Sequence, residues 1–311
     1  MAPGTRSGFA ALIGRPNVGK STLLNRLTGE KLAIVSPKPQ TTRTRILGVV
    51  TRPEGQIAFL DTPGVHQAKG ALNRFMVDVA LTAAQESDLA LMLVEPEGKG
   101  EPEIGPGNRF VLEQLKQLNK PTVLVINKID SVAKRVLLPL IQLYSETFSF
   151  AEVMPISART GDGVEALASL VLSHLPVAPP MFPPDVFTDQ AERLLVAEYV
   201  REQVLRHCEQ EIPYSAAVQV EHFDESERDD VGNGKRGLVR ILASLFVERE
   251  SQKAIVIGKR GQMLKTIGSD ARASIERLLG AKVFLQLQVK VEPRWSERPE
   301  ALNRLGYRHG R

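Results

Sequence analysis

One cysteine in 311 residues, Cys208, leaves no partner for an intramolecular disulfide and excludes a thiolate metal cluster. That scarcity predicts a reducing compartment, the cytoplasm. Long apolar runs are missing as well. Leu89–Val94 is among the longest, and six residues are far too few to span a bilayer. Residues 1–8 lack the apolar stretch of a signal peptide, and neither end carries a lipidation signal. The expectation is a chain with no transmembrane segment.

What the chain does contain is an ordinary globular composition, 42% hydrophobic and 24% charged, and a length that predicts about two domains. The formal charge is only +4, but it is unevenly spread. From Ser251 to Arg311 there are thirteen Lys/Arg against five Asp/Glu, whereas Glu221 to Asp230 holds six acids and one arginine. A basic C-terminal part predicts a polyanionic partner or a solvated basic tail, and charge alone leaves both open.

The apolar run Phe9–Ile13 leads into Gly14-Arg15-Pro16-Asn17-Val18-Gly19-Lys20-Ser21, followed by Thr22 and a helical Leu23, Leu24, Leu27 pattern that Gly29 stops. This is G-x-x-x-x-G-K-S, a strand turning through a glycine loop into a helix. Backbone N–H groups of Asn17 to Thr22 would cradle phosphates at the helix N-terminus. Lys20 would reach the outer phosphates, and the Ser21 hydroxyl would ligate Mg²⁺. Lys31–Thr44 is a polar segment that reads either as an exposed loop or as a segment whose threonine would close on the metal and terminal phosphate. Ile46–Thr51 and Gln56–Leu60 read as a hairpin ending in Asp61-Thr62-Pro63-Gly64. Asp61 would hold Mg²⁺ through water and Gly64 would offer its N–H to the terminal phosphate.

Further strands and helices alternate: a helix before Glu86, a strand at Leu89–Glu95, a helix at Phe110–Leu118 and a strand at Thr122–Ile126. That alternation predicts an α/β unit with a mostly parallel sheet covered on both faces. The strand Thr122–Ile126 delivers Asn127-Lys128-Ile129-Asp130. A carboxylate at Asp130 accepts from both N1–H and the 2-amino group of guanine, which adenine cannot match. Lys128 would lie along the base and Asn127 would brace the loops. A last strand, Glu152–Ile156, delivers Ser157-Ala158-Arg159, where the Ala158 N–H could meet the guanine oxygen, and a helix follows at Val164–His174.

This ordered set of motifs resembles the translation-factor-related GTPases over more than half of the chain. The resemblance implies a P-loop GTPase fold, binding of GTP and GDP, and Mg²⁺-dependent hydrolysis, with Lys20, Thr42 and Gly64 in catalysis and Thr42, or its neighbour Thr41, as the metal-ligating threonine of the Lys31–Thr44 segment. Where Ras-like members carry a water-orienting glutamine, this chain has Val65. It is therefore similar to the hydrophobic-substituted class, some of whose members bind K⁺ through an asparagine at the position of Asn17. A K⁺ ligand and a loop brace both remain open for Asn17.

Pro176–Pro184 reads as a stiff extended linker. The expected organisation is a GTPase domain over 1–176, a Pro-rich linker over 177–190 and a second, smaller α+β domain over 191–311. In the latter, Ala191–Arg206 reads as a helix. Ala216–Val220 and Leu238–Val247 read as strands around an acidic loop, with a turn at Gly232–Gly234. The apolar run Ala254–Ile257 enters Gly258-Lys259-Arg260-Gly261, followed by a short helix from Gln262, a longer one over Asp270–Leu279, and a strand at Lys282–Val291. Gly-x-x-Gly with two basic residues would bring backbone N–H groups and cationic side chains against a single-stranded nucleic acid backbone. Ile257, Leu264 and Ile267 would line the groove or fill the core. Trp295 would stack on a base or pack the tail.

The element order resembles a type II KH domain, and the pairing of such a domain with a GTPase resembles a family of bacterial ribosome-assembly GTPases. That resemblance implies binding of the 3′ end of 16S ribosomal RNA, a role in small ribosomal subunit assembly, and a monomer. Two other functions fit the same motifs: an RNA-binding module in which GTP is a structural or slow-timing ligand, and a GTPase held peripherally at the inner membrane face by its basic C-terminal part.

Overall fold

The computed structural model describes residues 4–96, 102–229 and 237–308. The chain divides into two compact units with a boundary at Asp189/Gln190. The first contains β1 (Arg6–Gly14), α1 (Lys20–Thr28), β2 (Ile46–Arg52), β3 (Gly55–Asp61), α2 (Ala71–Glu86) and β4 (Leu89–Val94). It continues with α3 (Pro106–Leu118), β5 (Thr122–Ile126), α4 (Leu137–Thr147), β6 (Glu152–Pro155) and α5 (Val164–His174). The strand order is β2-β3-β1-β4-β5-β6, with only β2 antiparallel to its neighbour.

Strands covered on both faces need apolar side chains at successive positions. Along β1, Ala10 and Leu12 join Leu91, Val123 and the α1 and α5 leucines in one core. Ala11 and Ile13 join Met92, Ile126, Ala80 of α2 and Leu112 of α3 in the other. Helix α4, with Leu140 and Tyr144 buried one turn apart, extends the second core. β1 lies between β3, reached through α1, and β4, reached through α2. The chain thus reverses its winding direction across β1, and the carboxyl end of such a strand opens into a crevice.

The Pro-rich segment is extended, but it is tied along the first unit. The buried Gln56 side chain accepts from Met181 N–H (2.8 Å) and Phe182 N–H (2.9 Å) and donates to the Phe182 carbonyl (2.9 Å). On the edge strand β2, Val49 N–H donates to the Phe187 carbonyl (2.8 Å), and the Thr188 hydroxyl donates to the Leu47 carbonyl (2.6 Å). Chain without its own ladder thus covers an exposed sheet edge.

The second unit contains α6 (Glu192–His207), the short α7 (Ile212–Ser215), β7 (Ala217–Glu227), β8 (Leu238–Val247), α8 (Glu250–Ile257), α9 (Gln262–Leu279), β9 (Lys282–Val291) and α10 (Pro299–Arg304). Its sheet runs β7-β8-β9, antiparallel then parallel. Two local readings of the sequence change. Most of the acidic stretch is strand, because β7 continues through Glu227 with irregular register after Val220 and Asp224, and Glu227 pairs with Arg240 across the ladder. Asp230 and the Gly232–Gly234 turn lie outside the described residues. The run Ala254–Ile257 is the end of helix α8, where only Gln252 and Val256, one turn apart, are buried. Its β-branched composition imitates a strand. The two helices expected after Gly261 are one continuous α9, in which Gly268 faces Leu287 of β9.

Trp295 is fully buried, donates its Nε1–H to the Ser215 carbonyl (2.8 Å) and stacks on Tyr307 at 5.6 Å between ring centroids. It packs the C-terminal segment rather than meeting a base. Trp295→Ala is expected to destabilise the second unit by about 3–5 kcal/mol, read as a lower urea midpoint in a domain-resolved unfolding measurement. An unchanged midpoint would deny Trp295 its structural role.

Candidate functional site

In a parallel sheet every strand that delivers a motif ends at the same edge. The phosphate loop leaves β1, Asp61–Gly64 leaves β3, Asn127–Asp130 leaves β5 and Ser157–Arg159 follows β6. A cavity of about 380 Å³ lies among them, with Asn17, Lys20, Ser21, Thr42, Gly64 and Lys128 in its wall.

α1 starts at Lys20, directly after Gly19, whose φ is 99°. A side chain on Gly19 would also collide with Asn127 Nδ2, 2.2 Å from an ideal Cβ. Lys20 is buried and donates to the Gly14 (3.1 Å) and Arg15 (2.9 Å) carbonyls. Burial lowers its pKa to about 8, against the pull of the Asp61 carboxylate. Val18 is fully buried in the core beneath the loop, and Thr22 lines the cavity.

Three oxygen-bearing side chains from three separate segments meet at the metal position expected from the sequence. The Ser21 hydroxyl donates to Asp61 Oδ2 (2.6 Å) and lies 2.8 Å from Thr42 Oγ1, which is 3.4 Å from the same carboxylate oxygen. The Thr41 hydroxyl instead donates to the Lys38 carbonyl (2.6 Å). Asp61 is fully buried, and burial raises its pKa to about 6 against Lys20, the two hydroxyls and the Thr62 N–H. Its Oδ1 is buried with no hydrogen-bond partner. Hydroxyl and carboxylate oxygens are the hard ligands that Mg²⁺ prefers, and an unpaired buried carboxylate oxygen suits a metal-bound water.

Gly64 passes so close to the phosphate loop that a Cβ there would stand 2.6 Å from Pro16, and Val65 N–H donates to the Gly14 carbonyl (3.0 Å). The Val65 side chain is fully buried in the core that also holds the α2 and α3 side chains. The His66 ring is engaged through Nδ1 with the Gly64 carbonyl (2.8 Å). The Asn17 side chain donates to the Pro37 carbonyl (2.7 Å), bracing the segment that carries Thr42.

At the other end, Asn127 donates to the Val18 carbonyl (2.8 Å) and accepts from Ala158 N–H (2.9 Å). The Ala158 N–H expected to meet guanine is therefore already shared with Asn127. Ser157 donates to Asp130 Oδ1 (2.5 Å) and Arg159 pairs with Oδ2. These contacts, the Ser157 bond foremost, hold the Asp130 carboxyl below its usual range. Lys128 donates to the Asn17 carbonyl (2.8 Å) and pairs with Glu95. Glu95 was not distinguishable in the sequence, where it simply ends an apolar strand.

In the second unit, Gly258–Gly261 forms a tight turn between α8 and α9, with Lys259 and Arg260 exposed and Arg260 at φ 53°. A groove of about 510 Å³ adjoins it, lined by Gly261, Leu264, Lys265, Gly268, Ser269 and Leu287 among others. Ile267 is fully buried core, Ile257 is half-buried, and Leu264 alone of the three apolar candidates lines this groove.

Residues 9–128 match the family described as 50S ribosome-binding GTPase, and residues 211–296 match the KH domain family. The chain is 52% identical over 304 residues to GTPase Era of Geotalea uraniireducens, covering 97% of this chain and 98% of that one. It is 45% identical to GTPase Era of Ruminiclostridium cellulolyticum at 97% and 98% coverage. This chain belongs to the GTPase Era family. Two solved Era structures have the same fold at a TM-score of 0.90, each covering 97% of this chain and 99% of the other. One is an Aquifex aeolicus Era variant bound to GDP·AlF4⁻, at 40% identity. The other is Era in complex with MgGDPNP and nucleotides 1506–1542 of 16S ribosomal RNA, at 41% identity.

Thr42→Ala is expected to lower single-turnover GTP hydrolysis at least about tenfold and to raise the Mg²⁺ requirement, while Thr41→Ala stays within about twofold of the unaltered chain. The reverse order would move the metal ligand to Thr41. Asp130→Asn should weaken GDP binding by roughly 10- to 100-fold through loss of charge-assisted hydrogen bonds. Retained preference for GTP over ATP in a competition assay would contradict base reading by Asp130.

Proposed function

We propose that this chain is a GTP-hydrolysing switch whose KH domain grips single-stranded RNA at the 3′ end of 16S ribosomal RNA during small-subunit assembly. The observation that carries the nucleotide half is the meeting of Ser21, Thr42 and Asp61 beside the buried Lys20. The Asp130 carboxylate, two residues beyond the Lys128 that lines this crevice, selects guanine. The RNA half rests on the exposed Lys259-Arg260 turn and its groove, and on the Era relative solved with 16S ribosomal RNA. The protein works as a cytoplasmic monomer, where ribosomal subunits are assembled.

In this reading, backbone N–H groups from Asn17 to Thr22 hold the phosphates and Lys20 sets positive charge against the outer ones. Gly64 presents its N–H to the terminal phosphate. Phosphoryl transfer of this kind is driven by positioning and electrostatics. Ser21 and Thr42, with Asp61 acting through water, would hold Mg²⁺, which when bound would supply positive charge against the phosphates. Val65 is buried and cannot orient the attacking water. Asn17, whose amide nitrogen is taken by Pro37, has its side-chain oxygen available for K⁺. With K⁺ there, hydrolysis is faster in K⁺ than in Na⁺; equal rates leave Asn17 a brace alone.

Single-turnover hydrolysis by the full chain, with and without K⁺ and small ribosomal subunits, tests the enzyme. A rate no higher than uncatalysed hydrolysis in every condition would reduce GTP to a structural ligand. A membrane-surface role would draw on the same basic residues, and vesicle co-sedimentation that RNA cannot displace would favour it. For the clamp, Lys259→Glu combined with Arg260→Glu should weaken binding of a single-stranded 16S 3′-end RNA. The slope of log K against log salt should fall by about 1.4, the share of two phosphate contacts. An unchanged slope would take both side chains out of the interface.

A further inference from the structure

Two consecutive residues of α1, Asn25 and Arg26, serve neither the phosphates nor the metal, yet each is bonded to a different loop of the nucleotide site. Asn25 Oδ1 accepts from Leu32 N–H (3.0 Å) and Ala33 N–H (2.8 Å), and its Nδ2 donates to the Ala33 carbonyl (2.7 Å). Three bonds from one half-buried amide fix the chain where Leu32, Ala33 and Ile34 enter the core. From Val35 onward the same segment passes along the cavity wall and delivers Thr42 to Ser21 and Asp61. Asn25 therefore anchors the root of the arch whose far end is the metal-side threonine.

Arg26 points to the other flank. Its Nε donates to the Ala158 carbonyl (3.2 Å) and its Nη2 to the Arg159 carbonyl. That short loop also sends Ser157 Oγ to Asp130 and the Ala158 N–H to Asn127. The loop is thus fixed on one side by base-reading residues and on the other by the helix that begins at the phosphate loop. Adjacent helix positions point about 100° apart, so neither residue can replace the other.

We propose that Asn25 and Arg26 form a split brace. Asn25 is a positioning residue for the metal and phosphate end of the reaction, and Arg26 is a positioning residue for guanine selection. One helix thereby transmits the seating of the phosphates to both loops that enclose the nucleotide. The proposal rests on the GTP-hydrolysing reading above.

A double dissociation in the full-length protein tests it. The measurements are the Mg²⁺ dependence of single-turnover hydrolysis, the release rate of a fluorescent GDP, and the affinity ratio of GDP to IDP. IDP lacks the 2-amino group that the Asp130 carboxylate reads. Asn25→Ala should lower the hydrolysis rate and raise the Mg²⁺ requirement by about tenfold each, the factor carried by one neutral hydrogen bond at the upper end of its usual range. Its GDP-to-IDP ratio should stay within about twofold. Arg26→Ala should release GDP about tenfold faster and lower the GDP-to-IDP ratio, with the Mg²⁺ requirement unchanged. Arg26→Lys should recover part of that ratio, because an ammonium still donates to a carbonyl. Asn25→Asp keeps the acceptor for Leu32 and Ala33, and it gives the same separation at smaller amplitude if the alanine variant does not fold.

The proposal is overturned if both variants move both sets of readouts together, as a loss of general stability would, or if neither variant moves its own. If the unaltered chain failed to hydrolyse GTP, the enzymatic reading would fall separately. The brace would then stand or fall on the GDP-to-IDP ratio and on the Mg²⁺ dependence of GTP retention.

Discussion

A strand with helices packed on both faces has no room for a polar side chain except at its ends. β1, β3, β4 and β5 are buried almost throughout, so the polar chemistry of the first unit collects where these strands stop. Because they run parallel, they stop along one edge. That constraint gathers residues more than a hundred positions apart, such as Lys20 and Lys128, around one crevice. It also lets a buried lysine and a buried aspartate face each other there, each shifted towards its neutral form by burial and each opposed by the other's charge.

The site is consequently a set of loops held mainly by one another. Asn127 spans from the Val18 carbonyl to the Ala158 N–H, Lys128 reaches the Asn17 carbonyl, Asn17 holds Pro37, and Val65 N–H returns to Gly14. Backbone groups in such loops lack a ladder, and these side chains satisfy them instead. The second unit has a simpler design. A tight glycine turn between two helices exposes two cations, and a groove beside β9 offers apolar and basic lining.

Much of this was legible in the sequence because it depends on local patterns. The phosphate loop, the Asp61–Gly64 turn, Asn127–Asp130 and the strand Thr122–Ile126 follow from spacing and apolar runs. Gly29 ends α1 in a left-handed conformation, as a glycine stop should. Errors arose where composition and periodicity disagreed. The β-branched end of α8 imitated a strand, and the acidic residues of β7 imitated a loop because the strand's register is irregular there and its burial does not alternate.

By itself the sequence determined the motif order, the carboxylate of Asn127-Lys128-Ile129-Asp130, the absence of a glutamine at Val65 and the basic Gly-x-x-Gly turn, since each is a matter of residue type at a fixed spacing. Tertiary structure alone decided between Thr41 and Thr42 at the Ser21–Asp61 pair, committed the Asn17 amide to Pro37, and sent Trp295 into the core. It also revealed Asn25, Arg26 and Glu95. Those choices depend on contacts between distant segments or on the curl of a loop, and such distances exist only once the sheet has brought the strand ends together.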